Sequence, residues 1–184
     1  MKTRKIHGVF GAALLALALT NTGCVVEVST LPGGNFYENF DSGGGRWTLG
    51  DGFRIDVASG SDRWLRAVYD DSCSDQSYNF AHVTAPFDFT GAAAVSVSVS
   101  TQGTYGTRDT TGVAWTTDLP GPGATWNVLS TINSTSSYVV NSVDLPAEAR
   151  RSGVYLGIYF RNICVRNSIG VNMGYDEFRV VVTR

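Results

Sequence analysis

Beyond residue 7 the chain holds a single histidine, His82, in the run Phe80-Ala81-His82-Val83-Thr84. A hydrolytic triad needs such an imidazole beside a serine on an activating turn, and no Gly-x-Ser-x-Gly elbow occurs in the 184 residues. His82 is therefore placed on a strand without a catalytic role. Carboxylate pairs are the other route to polysaccharide cleavage. The nearest pairs, Glu38/Asp41 and Asp176/Glu177, lack the alternate spacing that would turn two acids from one strand into one cleft. No catalytic residue is assigned, and a carbohydrate-active hydrolase or lyase stays as an alternative. Cys73 and Cys164 have no neighbours at zinc-site spacing.

The same carboxylates suit a cation better. In Phe36-Tyr37-Glu38-Asn39-Phe40, a period of two puts Glu38 on the face of Phe36 and Phe40. In Asp176-Glu177-Phe178-Arg179-Val180 it puts Asp176 with Phe178 and Val180. A carboxylate facing a core needs a partner, since an unpaired buried charge costs several kcal/mol. Where first and last strands are neighbours, one structural calcium ion held by Glu38, Asp41 and Asp176 would satisfy both, with Asn39 available to complete its shell. An arginine partner, or exposure at strand ends, is the alternative. The loop Asp70-Asp71-Ser72-Cys73-Ser74-Asp75 lacks the spacing of a calcium loop and is assigned to ion pairing with Arg161 and Arg166.

A ligand surface needs exposed rings. Along Val154-Tyr155-Leu156-Gly157-Ile158-Tyr159-Phe160, one face is aliphatic and aromatic throughout, and the other carries Tyr155 and Tyr159 across Gly157, followed by Arg161. Tyr155, Tyr159 and Arg161 are the candidate ligand-binding residues, a shallow platform with a cationic edge. The competing expectation is that a loop covers this face and the tyrosines pack beneath it. Trp47, Trp64, Trp115 and Trp126 are assigned to the core or to turns.

Strands must position these groups. Turn signals recur every 8–12 residues between short apolar segments, the pattern of a sandwich or barrel. Ala94 to Ser100 alternates valine and serine without exception. Segments 63–69, 112–117, 126–131, 138–144, 153–162 and 174–183 follow the same logic, with 153–162 apolar enough to be central and Pro146 to Arg151 the one helical turn. The expectation from this pattern is an all-β antiparallel sandwich or barrel of about ten strands, without internal repeats, over residues 36–184.

The first 35 residues differ in kind. Met1-Lys2-Thr3-Arg4-Lys5 is basic, and Val9 to Leu19 is an apolar run well short of the about 20 residues a membrane-spanning helix needs. That is the anatomy of a secretory signal peptide, residues 1–23. Asn21-Thr22-Gly23-Cys24 resembles a bacterial lipobox, so Cys24 is expected to carry lipid, with residues 24–35 as a tether. Three cysteines are an odd number, and lipidation of Cys24 leaves Cys73 and Cys164 to pair in an oxidising compartment. The whole chain has a net charge of −2, which becomes −5 once Lys2, Arg4 and Lys5 leave with the signal. A mildly acidic domain with scattered arginines has no footprint for nucleic acid. Membrane association is expected through the N-terminal lipid only, at a bacterial outer membrane or cell surface, with a periplasmic or secreted form as the alternative.

Three segments together resemble the extracellular jelly-roll modules that include MAM-like and cleaved-adhesin-like domains. These are Phe36-Tyr37-Glu38-Asn39-Phe40-Asp41 with Trp47, then Trp115-Thr116-Thr117-Asp118 with Gly123-Ala124-Thr125-Trp126, and finally Gly174-Tyr175-Asp176-Glu177-Phe178-Arg179-Val180. The middle signature departs from the pattern by an insertion, Leu119 to Pro122. The resemblance implies an all-β antiparallel jelly-roll β-sandwich and a non-catalytic recognition or adhesion role toward a glycan or an extracellular protein, often with structural calcium. A purely structural surface lipoprotein is the remaining alternative.

Overall fold

The computed structural model describes residues 33–69, 78–104, 110–132, 135–161 and 171–184. The signal segment, most of the tether, and all three cysteines lie outside the described residues. The rest forms two antiparallel sheets. The first runs in the order β10 (Thr135–Asp144), β7 (Ala94–Thr104), β12 (Val171–Thr183), β4 (Asp62–Tyr69), β3 (Phe53–Ser59), with β1 (Phe36–Glu38) also on β12. The second runs β2 (Trp47–Leu49), β5 (Tyr78–Val83), β11 (Ser152–Arg161), β8 (Thr110–Thr116), β9 (Asn127–Val128), with β6 (Phe87–Asp88) also on β11. The all-β sandwich expected from the alternation is what forms, with twelve strands among the described residues.

Side-chain alternation explains the layers. Val95, Val97 and Val99 of β7 are buried, and so are Val154, Leu156, Ile158 and Phe160 of β11. These two rows face each other across the sandwich as one core. Aromatic rings close one part of it: Phe36 meets Phe87 at 5.6 Å and Phe178 at 6.3 Å, and Trp47 meets Phe178 at 5.0 Å. A polar link crosses elsewhere, where the Tyr175 and Thr111 hydroxyls lie 2.6 Å apart and Thr111 donates to the Tyr159 carbonyl. Buried hydroxyls are tolerated because each finds such a partner.

The long strand β12 contains a bulge, with a register shift between Asp176 and Arg179 and a positive φ of 48° at Glu177. The extra residue reverses the inside–outside phase. Met173 and Tyr175 point inward before it, and Phe178 and Val180 after it. Asp176 therefore lies on the outer face, not the face of Phe178. The expected strand at 126–131 is regular only over β9; beyond it, Leu129 and Ile132 donate singly to Val113 and Thr111. The helical turn is a short 3-10 segment, Ala147–Ala149.

Candidate functional site

The outer face of the second sheet is aromatic where alternation would ordinarily put polar groups. On β5, Ala81 and Val83 enter the core, so Tyr78, Phe80 and His82 project outward. On β11 the outward set is Tyr155, Gly157, Tyr159 and Arg161. Register places Tyr78 beside Arg161, Phe80 beside Tyr159, and His82 beside Gly157. On the far side of β11, Gly157 and Tyr159 pair with Ala114 and Gly112 of β8. Rings thus fill the β5 side, and small residues fill the centre of the sheet.

Glycine is required at two of these places. A Cβ on Gly157 would stand 2.7 Å from the Ala81 carbonyl and 3.1 Å from the His82 Cβ. A Cβ on Gly112 would collide with the Ser130 carbonyl and crowd Tyr159. Gly112 thereby lets the chain after β9 lie against Tyr159, whose hydroxyl donates to the Ser130 carbonyl at 3.4 Å.

Trp126 completes the face from the loop between β8 and β9. Its ring stacks on Phe80 at 4.5 Å and 14°, and lies 5.8 Å from His82. Tyr78 stacks beyond Phe80 at 6.1 Å and 18°, with the Arg161 guanidinium 5.1 Å from its ring centre. Tyr155 meets His82 edge-on at 6.3 Å. The loop is tied at its base: the Asp118 N–H donates to the Thr116 hydroxyl (3.0 Å), and the Asp118 carboxylate accepts from the Thr125 N–H (2.8 Å). These are Thr116, Asp118 and Thr125 of the middle sequence signature. Its spacing closes the loop and presents Trp126.

Two cavities open beside the Phe80–Trp126 stack. One, of about 340 Å³, is lined by Tyr78, Phe80, Ala124, Trp126 and Val128. The other, of about 370 Å³, adds Thr48 and Gly50 from β2 and its exit, His82, and the Pro120-Gly121-Pro122 turn. Among the described residues, neither lining contains an acid, a lysine or an arginine. Burial holds the His82 imidazole below its usual pKa, opposed by its hydrogen bond to the Val83 carbonyl. It is neutral at pH 7. Because a carbonyl only accepts, the 3.1 Å contact assigns the proton to Nδ1 and leaves Nε2 as an acceptor.

The residues singled out from sequence are placed as follows. Tyr155 is half-buried at one end of the face, Arg161 rests on Tyr78, and Tyr159 is only 1% exposed, packed beneath the face. Tyr78, Phe80, His82 and Trp126, which make up the open part, were not singled out as ligand contacts. The signal for the first three was present, since they alternate along β5 as clearly as the tyrosines of β11.

The carboxylates expected to share calcium do not come together. Glu38 is 2% exposed, and it accepts from the Phe40 N–H at 3.0 Å and from Arg46 at 3.1 Å. Asp41 accepts from Asn39 and from the Arg63 N–H. Asp176, put on the other face of β12 by the bulge, accepts from the Tyr138 hydroxyl at 3.0 Å and from the Glu177 N–H at 2.7 Å. Burial raises the pKa of Asp176, partly offset by those two donors. Among the described residues, no three His, Cys, Asp or Glu side chains gather as a metal site.

No protein-family model matches the chain, and no curated protein matches it. Solved structures do. The chain is similar to the K1 cleaved adhesin domain of Lys-gingipain from Porphyromonas gingivalis W83, at 15% identity and a TM-score of 0.60, covering 83% of this chain and 100% of that one. The K2 cleaved adhesin domain of Lys-gingipain is similar at 17% identity and 0.56, covering 82% and 99%. So is the CBM22-1 xylan-binding domain of Paenibacillus barcinonensis Xyn10C, at 14% identity and 0.52, covering 83% and 97%. At these identities the likeness defines the class of fold, a β-sandwich shared with adhesin and carbohydrate-binding modules.

Proposed function

We propose that this chain is an exported, non-catalytic binding module that holds a glycan on the outer face of its second sheet. The observation carrying this reading is the half-buried Phe80–Trp126 stack, shared by two cavities whose described linings are rings, small residues and neutral polar groups. Flat rings suit the apolar faces of sugars, and Nε2 of His82 and the Thr48 hydroxyl supply hydrogen-bonding groups for sugar hydroxyls. The fold shared with adhesin and xylan-binding domains supports the reading.

A glycan-array screen of the purified chain tests it. Binding to a defined sugar set is expected, with Trp126→Ala and Phe80→Ala each weakening it about tenfold or more while the melting temperature moves little. A blank array would demote glycan recognition in favour of an extracellular protein partner, the second reading the exposed rings support. The chain's export and its lipid attachment at Cys24 belong to the same proposal and rest on the N-terminal sequence. Mass spectrometry of the N-terminal peptide should find acylated Cys24, and an unmodified Cys24 would remove the anchor.

A further inference from the structure

Resting on the glycan reading, we propose that the occupant is an internal stretch of an uncharged glycan chain, at least two sugar units long, lying across the Phe80–Trp126 stack with a unit in each cavity. Both cavities are lined by the same three rings, Tyr78, Phe80 and Trp126, so the stack is a ridge between two compartments. Each compartment lies near the small end of the size range for ligand sites, which begins at about 300 Å³. One sugar unit apiece suits that size, and a ligand confined to one compartment would leave half of the aromatic surface unused.

The outer rims decide between a chain end and a chain interior. Besides the shared rings, the described lining of the first compartment is Ala124 and Val128, and that of the second is Thr48, Gly50, Asn79, His82 and the Pro120-Gly121-Pro122 turn. Recognition of a chain terminus needs a wall that stops the next unit. Among the described residues, neither lining adds a further tryptophan, tyrosine or phenylalanine as such a wall.

Among the described residues both linings are free of charge, which favours an uncharged ligand. A uronate, sulfate or sialate would leave water without a cation among those residues, at the cost of a desolvated, unpaired charge. Arg161, beside Tyr78 at the margin, is a nearby cation that favours the opposite outcome.

The test uses the full mature chain and three probe sets: xylose with xylo-oligosaccharides of two to six units, glucose with cello-oligosaccharides of the same lengths, and oligogalacturonates of matched length. Affinity is expected to rise at least about tenfold from one unit to three or four in a neutral series. It should survive chemical blocking of the reducing end, and the oligogalacturonates should bind at least about tenfold more weakly. Ala124→Asp and Thr48→Asp each place a charge at one outer rim, on partly or fully exposed positions that leave the fold intact. Each should weaken the longer neutral probe, with unchanged melting temperature as the folding control. Equal affinity for a monosaccharide and a tetramer would overturn the inference. So would loss on end-blocking, tighter binding of the acidic series, or indifference to either rim substitution. All of these would leave the glycan reading standing. A failure of every probe here and of every glycan on the array removes the reading and the inference together.

Discussion

His82 shows how a residue with little to say in isolation acquires a role from its surroundings. Burial against Trp126 and Tyr155 disfavours the imidazolium, so its folded pKa lies below the ordinary value of 6.5. A depressed folded pKa means the unfolded chain takes up the proton first. Its contribution to stability is complete above pH 6.5 and is lost as pH falls through 6.5 toward the folded value. Melting temperature should therefore fall more between pH 7 and pH 5 in the wild-type chain than in His82→Gln, which stays neutral. Parallel curves for the two proteins would refute this. The site residues legible beforehand were those in a conspicuous pattern, two tyrosines flanking a glycine. Half of that pattern, Tyr159, is packed, because Gly112 lets the chain at Ser130 lie over it. No property of β11 alone reports on a neighbour that covers it. The ring of Trp126 was equally hidden, since its sequence context marks a turn and leaves open which way the ring points.

At the scale of elements, the strands were legible where alternation was long and the core wide. β7, β11 and β12 lie within a few residues of their expected limits, whereas β2, β6 and β9 have only two or three residues each. The β12 bulge shows where alternation misleads. Asp176 and Phe178 are in phase in sequence and on opposite faces in space. The warning was a parity change, with apolar residues at 173 and 175 and then at 178, 180 and 182. The β8–β9 loop is the element with the most direct functional consequence. Its stem is closed by Asp118 through Thr116 and Thr125. Loss of that carboxylate frees the segment that holds Trp126 over Phe80. Asp118→Ala should weaken glycan binding several-fold and diminish the near-ultraviolet circular dichroism of the stacked rings. Its stability cost should be about 1 kcal/mol, the worth of an exposed hydrogen bond. Asp118→Asn keeps an acceptor oxygen and should recover most of both signals. Wild-type affinity in Asp118→Ala would show that Trp126 is held by its stack alone.

The whole molecule has two unlike ends. At one, the described chain enters at Gly33, whose carbonyl accepts from the guanidinium of the C-terminal Arg184 at 2.8 Å. β6 and the start of β11 lie at this end too, since Asp88 pairs with Ser152. At the other end two crossovers join the sheets. Residues 70–77 link β4 to β5, and residues 162–170 link β11 to β12. Their bounding strand ends are paired, Tyr69 with Val171 in the first sheet and Tyr78 with Arg161 in the second. Each of these stretches carries one cysteine, Cys73 or Cys164, the pair that remains if Cys24 carries lipid. We expect the exported chain, denatured without reductant, to show no alkylatable thiol at Cys73 or Cys164. Reduction should lower its stability by about 2–4 kcal/mol, as for a crosslink closing a long loop. It should act mainly at the Tyr78–Arg161 end of the aromatic face, loosening the cavities while the core valines of β7 keep their amide protection. Two free thiols in the unreduced protein would leave this end held by strand pairing alone.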